Sequence, residues 1–306
     1  MNNAFCTITT QSHLPKVFAL YTSLYSHNPN VSLQVLVIDG KITVEKMKLF
    51  EMIEFYDISI LEDDKVSQKI LNKYKKKSDK LRWSLKPIFL KWLLKQKYDK
   101  VIYVDNDIYF VDQFDFLFVE LDKSNVLLSP HWRPENPNEE PLWFETNFRD
   151  GIFNAGFFGC NKNSIKALDW WASACLYKCE KNYRHGLFDD QKYLDMIPVI
   201  EKNTGIIHHK GCNLAYWNIK QVKRNLQSEK LILSSEYNPV FIHFADCTIA
   251  AIVGNEDTCL DSYLKVYIDQ LQYFGFKLNL NSILRKENFW ARYRNIKWKV
   301  LGDFLF

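Results

Sequence analysis

Residues 101–107, Val101-Ile102-Tyr103-Val104-Asp105-Asn106-Asp107, run four apolar side chains straight into two carboxylates. A short unbroken apolar run predicts a strand buried on both faces, the kind a parallel sheet requires. Open α/β sheets place their ligands at the C-terminal ends of such strands, where Asp105 and Asp107 emerge. Two carboxylates one residue apart can share a hard divalent cation, and that cation can hold a diphosphate. An Asp-rich turn whose carboxylates cap backbone amides would look the same in isolation, so the rest of the chain has to decide.

The flanking sequence predicts a β-α-β-α-β order. Strands are expected at Ala4–Thr10, Ser32–Ile38, Asp57–Leu61 and Val126–Ser129. The first helix is expected from Pro15, with Val17, Leu20, Tyr21, Leu24 and Tyr25 as its buried stripe, and the second at Val44–Glu54. This alternation implies right-handed crossovers and a mostly parallel sheet. Residues 62–80 are polar and lysine-rich and read as a solvated connector. Trp83-Ser84-Leu85-Lys86-Pro87 opens a further helix, placing Lys86 near its start, where the dipole favours anions. Residues 130–150 read as a long loop rich in proline and aromatic rings, an acceptor wall or lid.

At 306 residues, 47% hydrophobic and 25% charged, the chain can bury one large α/β core. Its net charge of +4 is too small and dispersed to indicate nucleic acid. No signal peptide and no run of about 18 apolar residues is read. The seven cysteines lack a framework spacing, and the Cys175/Cys179 pair has no matching partners for zinc. Free thiols in a reducing cytoplasm are expected. Residues 1–278 are expected to form the catalytic domain and 279–306 a helical appendage. The appendage mixes Arg285, Lys286, Arg292, Arg294, Lys297 and Lys299 with Trp290, Tyr293, Trp298 and Phe304. That mixture suits either an interfacial helix on anionic lipid or a terminal helix docked on the domain.

Two segments strengthen the metal reading. In Asp150-Gly151-Ile152-Phe153-Asn154-Ala155-Gly156, small residues allow close backbone approach and Asn154 offers a donor and an acceptor to hydroxyls. In Asp189-Asp190-Gln191 a carboxylate beside an amide suits a polyhydroxylated ligand.

The ordered set of strand-DxD, Asn154-Ala155-Gly156, Asp190-Gln191 and His243-Phe244, spread over residues 4–250, resembles the GT-A nucleotide-sugar glycosyltransferases. It is most similar to glycosyltransferase family 8 and its retaining relatives. The resemblance implies a Rossmann-like GT-A domain that moves a hexose from a UDP-sugar to a saccharide or glycolipid acceptor. It implies Mn²⁺ or Mg²⁺ held by Asp105, Asp107 and His243, and imidazole shifts the preference toward Mn²⁺. Thr9, Lys86, Asp105, Asn154, Ala155, Asp190 and Gln191 would bind the donor, with Gln191 or Asp190 at the anomeric carbon. Tyr216, Trp217 and Asn218 would line the acceptor side. His208 and His209 are left without a role.

The chain departs from family 8 after His243-Phe244, where a glycine and then a phosphate-reaching lysine are common; here the sequence is Ala245-Asp246-Cys247-Thr248-Ile249. Thr7, Thr9 and Thr10 replace the acidic and amide pair common at the base pocket. A haloacid-dehalogenase-type phosphatase shares only the DxD, and a nucleotidyltransferase would need a glycine- and arginine-rich first loop. The remaining alternatives are an inverting GT-A enzyme with another nucleotide sugar and a non-catalytic carbohydrate-binding relative.

Overall fold

The computed structural model describes residues 2–40, 52–228, 230–287 and 289. Its strands are β1 (Asn3–Thr9), β2 (Leu33–Val37), β3 (Ile53–Asp57), β4 (Lys100–Val104), β5 (Ile108–Phe110), β6 (Val126–Pro130), β7 (Phe153–Asn161), β8 (Lys181–Asn182), β9 (Leu187–Phe188), β10 (Thr204–Ile206), β11 (Arg224–Gln227), β12 (Lys230–Leu233) and β13 (Phe241–His243). Seven of them form one sheet in the order β10-β6-β7-β4-β1-β2-β3. β3, β2, β1 and β4 run parallel, whereas β7 lies antiparallel between β4 and β6. The expected α/β GT-A-like sheet is present, and it is mostly parallel.

Alternation along the strands sorts side chains onto two faces. Ala4, Cys6, Ile8, Val101 and Tyr103 pack beneath the helices Lys65–Tyr74, Ser78–Gln96 and Ile165–Tyr177. Phe5, Ile102 and Val104 point the other way, toward the helices Leu14–His27 and Asp115–Lys123. Asp105, next in the alternation after Val101 and Tyr103, therefore emerges on the face covered by Ser78–Gln96. A third cluster joins Tyr109, Ile242 and Phe244 to the helices Asp246–Val253 and Asp261–Tyr273, with Phe244 stacked on Tyr267 at 4.5 Å. This cluster carries β13, which pairs antiparallel with β5 so that His243 faces Ile108.

Several sequence expectations need correction. The third strand is Ile53–Asp57, and the expected strand over 57–61 is a 3₁₀ turn, Ile58–Leu61, capped by the Asp57 carboxylate. Ile53 and Glu54 are thus in a strand, not at the end of a helix; residues 41–51 of that expected helix lie outside the described residues. The lysine-rich connector contains the helix Lys65–Tyr74. Asp64 caps it, and it needs only Ser67, Ile70 and Tyr74 to bury one stripe. The next helix begins at Ser78, so Lys86 sits in its middle and gains nothing from its N-terminus. Pro87 lies in the interior and is tolerated because Leu85, Ile88, Phe89 and Leu90 anchor the helix to the sheet. Residues 130–150 are not wholly loop: Pro141–Asp150 is a helix with proline in its first turn.

No helix among the described residues is long and apolar enough to cross a membrane. Residues 280–287 are helical. They insert Ile283 into the third cluster, and Lys286 lies 2.5 Å from Asp246. The rings expected at 290–306 lie outside the described residues.

Candidate active site

The DxD turn is held by backbone at both ends. Asp105 N donates to Gly156 O at 2.8 Å, extending the β4–β7 ladder, and Phe244 N donates to Asp107 O at 2.8 Å, tying the turn to β13. Between them the buried Asn106 donates to Thr9 Oγ1 at 3.1 Å. Thr9 is fully buried, so it serves this turn from the end of β1.

Asp105, Asp107 and His243 each offer a ligand atom, and these atoms lie within 4.8 Å of one another. Two carboxylates and an imidazole form a mixed oxygen–nitrogen set that fits a divalent ion of Mn²⁺ type. His243 Nε2 is 3.1 Å from Asp107 Oδ1. Burial opposes the Asp107 charge, but His243 and Lys16 hold its carboxyl well below the usual range. Tyr103 donates to Asp105 Oδ1 at 2.6 Å and fixes the second carboxylate.

Lys86 is buried at the centre of the site. Its Nζ donates to Ala155 O at 2.9 Å and lies 3.1 Å from Asp190 and 3.4 Å from Asp105. Burial alone would favour a neutral amine, but Asp105 and Asp190 outweigh it and raise the Lys86 pKa. Burial pushes Asp190 up to about 6 despite Lys86 beside it. Trp171 Nε1 donates to the Asp190 carbonyl at 3.0 Å. Gln191 spans two backbones, donating to Asp150 O at 2.9 Å and accepting from Ala155 N at 3.3 Å. Ala155 is thus gripped on both sides, by Lys86 and by Gln191.

Asn154 accepts from Gly156 N at 2.8 Å and is 3.1 Å from His131 Nε2. His131 Nδ1 is 3.1 Å from Ile152 O, a pairing in which Nδ1–H donates and Nε2 accepts from the amide. Burial, then Arg133, lowers the His131 pKa well below its ordinary value, so the ring stays neutral. Trp217 stands edge-on to both histidines, 5.5 Å from His131 and 5.1 Å from His243. Tyr216 meets Trp143 of the helix Pro141–Asp150 at 5.0 Å. Asn218 is fully buried, donating to His131 O and Asn213 O and accepting from Arg224.

The structure therefore brings Asp105, Asp107, His243, Lys86, Asp190, Gln191, Asn154, Ala155 and Thr9 to one edge of the sheet, with Trp217 alongside. His208 and His209 are not part of it; His209 accepts from Gly211 N and packs on Tyr237. Sequence reasoning passed over Asn106, Tyr103 and His131. Their signal was position: two lie in or next to the DxD pair, and one follows β6.

The chain is 26% identical over 266 residues to YfnF of Bacillus subtilis (strain 168), a protein described as uncharacterized, covering 82% of this chain and 84% of YfnF. YfnD of the same organism is 26% identical over 253 residues, 80% of this chain and 78% of YfnD. Among solved structures, the galactosyltransferase LgtC in complex with donor and acceptor sugar analogs superposes with TM-score 0.55 at 13% identity, covering 87% of this chain and 95% of LgtC. Mouse xyloside xylosyltransferase 1 superposes with TM-score 0.53 at 14% identity, covering 81% and 99%. Likeness at such low identity speaks for the fold, whereas the family assignment comes from the sequence. The family model "Glycosyl transferase family 8" matches residues 5–248, and the chain belongs to that family as a glycosyltransferase.

Proposed function

We propose that the protein transfers a hexose from a UDP-sugar to a saccharide or glycolipid acceptor, with retention at the anomeric carbon and with Mn²⁺ or Mg²⁺ as cofactor. The observation that carries this reading is the convergence of Asp105, Asp107 and His243 with the buried Lys86–Asp190 pair. Asp105, Asp107 and His243 would hold the ion, which when bound supplies Lewis-acid stabilisation of a leaving diphosphate.

The chain's own residues do the remaining work. Lys86 brings a permanent positive charge into a buried pocket, where it acts more strongly than in water. Asn154, Ala155 and Gln191 are fixed by mutual backbone and side-chain bonds before any ligand arrives, which favours orientation. Gln191 is a poor nucleophile and is bonded through both amide atoms, and Asp190 is held by Lys86. Both facts favour front-face attack, in which the acceptor proton passes to the departing phosphate oxygen. The tail 279–306 would dock on an anionic membrane surface at the inner face, consistent with a role in bacterial surface polysaccharide assembly.

A screen of nucleotide sugars for Mn²⁺-dependent hydrolysis tests the core of this reading. UDP-hexose should be cleaved by wild type and not by Asp107→Ala. Activity that survives both the substitution and chelation removes the proposed metal site. Liposome co-sedimentation of the full chain against residues 1–278 tests the tail, and equal binding rules out its membrane role.

A further inference from the structure

We infer that Arg82, together with Lys16, grips the diphosphate of the donor and supplies the positive charge that the segment after His243 lacks. The inference rests on the transferase reading and names further binding residues for that site. The helix that follows His243 presents Asp246 and the buried Ile249, and Asp246 is already paired with Lys286. No cation therefore reaches the metal site from that helix.

Two other elements supply one each. Asp79, Arg82 and Lys86 fall at i, i+3 and i+7 of the helix Ser78–Gln96, one stripe that ends at the buried Lys86. Arg82 is largely buried, with side-chain exposure of 23%, and its guanidinium lies 2.6 Å from Asp79. Its Nε is buried with no hydrogen-bond partner, so it retains an unused donor. Burial opposes the Arg82 charge, but the bond to Asp79, and then the charges of Tyr103 and Asp105, outweigh it and raise its pKa.

Lys16 sits in the first turn of the helix Leu14–His27, which follows the end of β1, where Thr9 accepts from Asn106 of the DxD turn. Thr10, the residue after Thr9, lies 2.8 Å from His13 at the cap of this helix, so the helix opens at the edge that carries the DxD turn, and the charge of Lys16 lowers the Asp107 pKa from there. Four carboxylates at this edge, Asp79, Asp105, Asp107 and Asp190, stand against three cations, Lys16, Arg82 and Lys86, so their charges sum to minus one. A divalent ion turns that sum positive by one, which suits an anion of diphosphate type. Guanidinium is the side chain best matched to phosphate oxygens because its planar fork can bond two at once. Asp79 is 63% exposed, so water can take over from Arg82 as its partner.

Calorimetric binding of UDP and of inorganic pyrophosphate, each with Mn²⁺, tests the inference. Arg82→Gln should weaken both about 10- to 100-fold, the range for loss of a charge-assisted bond. Lys16→Ala should weaken both less, and uridine binding should change in neither variant. Asp79→Asn separates ligand binding from mere structure, because a structural Arg82–Asp79 pair would make it as damaging as Arg82→Gln. Diphosphate binding should instead be kept or tightened in Asp79→Asn. Equal loss in the two variants, or unchanged pyrophosphate binding in Arg82→Gln of wild-type melting temperature, overturns the inference alone. Wild-type protein that binds neither diphosphate with Mn²⁺ overturns the transferase reading along with it.

Discussion

The α-carbon of Gly156 lies against the imidazole of His243: a Cβ at residue 156 would stand 2.5 Å from His243 Cε1 and 2.6 Å from Asn154 Oδ1. Any side chain there must displace the ring, the amide or both. Gly156→Ala should cost about 1–3 kcal/mol of stability as overpacking. It should also weaken Mn²⁺ binding at least about tenfold, as disturbed support of a metal ligand does. Mn²⁺ titration of the variant checks this, and wild-type affinity would show that the position of His243 does not govern metal binding.

Among the described residues, Lys86 is the one cation observed in contact with both Asp105 and Asp190, at 3.4 and 3.1 Å. Lys86→Met keeps much of the volume but leaves two carboxylates uncompensated. Removing one partner of a buried pair costs about 3–5 kcal/mol, and urea denaturation should show a loss of that size. A variant as stable as wild type would mean that Asp190 takes up a proton at no cost.

The His131 ring bonds Ile152 O and Asn154 and none of the three expected metal ligands, so it orients Asn154 alone. His131→Ala should leave Mn²⁺ affinity near wild type while kcat/KM for donor hydrolysis falls up to about 100-fold, the penalty for a group misplaced by an ångström. A parallel loss of metal affinity would assign His131 to support of His243 through Trp217 instead.

Asp257 and Arg224 form a second buried pair, 2.8 Å apart, behind Asn218. Burial raises Asp257 to about 6, with Arg224 opposing. A carboxyl raised in the fold holds its proton more tightly there than in the unfolded chain. Its contribution to stability is therefore complete below the unfolded value near 4 and is lost as pH rises through about 6. Wild type should lose melting temperature over pH 4–6 relative to Asp257→Asn, whose Arg224 keeps acceptors in Val222 O, Ala215 O and Asn218 Oδ1. Parallel melting curves would show that Asp257 titrates normally.

The site was largely legible because its chemistry is written in short local patterns. Val101–Val104 reads as a buried strand and is one, and the carboxylates that follow inherit its end. The errors arose where long-range packing overrides local pattern. Lys65–Tyr74 looks solvated by composition, yet Ile70 and Tyr74 on one stripe suffice once Ser78–Gln96 and the sheet lie beneath it. The stretch Trp83–Pro87 read as the opening of a helix, but the preceding Leu81 packs well enough to carry the helix back to Ser78. His131 left no periodic or motif signal, since its importance comes from Ile152 and Asn154, about twenty residues away, folding against it.

The reversed direction of β7 has a consequence for how the protein can diversify. A parallel strand would present its last residues at this edge of the sheet, but β7 presents its first, Phe153 to Ala155. The excursion over residues 131–152 therefore finishes at the site, while Tyr103↔Phe158 and Val101↔Cys160 lock the strand downstream. Residues can be inserted into or deleted from that excursion without sliding Asn154 against the DxD turn. The wall beside the site can thus drift by changes in length while Asn154 and Ala155 keep their register, a division of labour between a variable rim and a fixed floor.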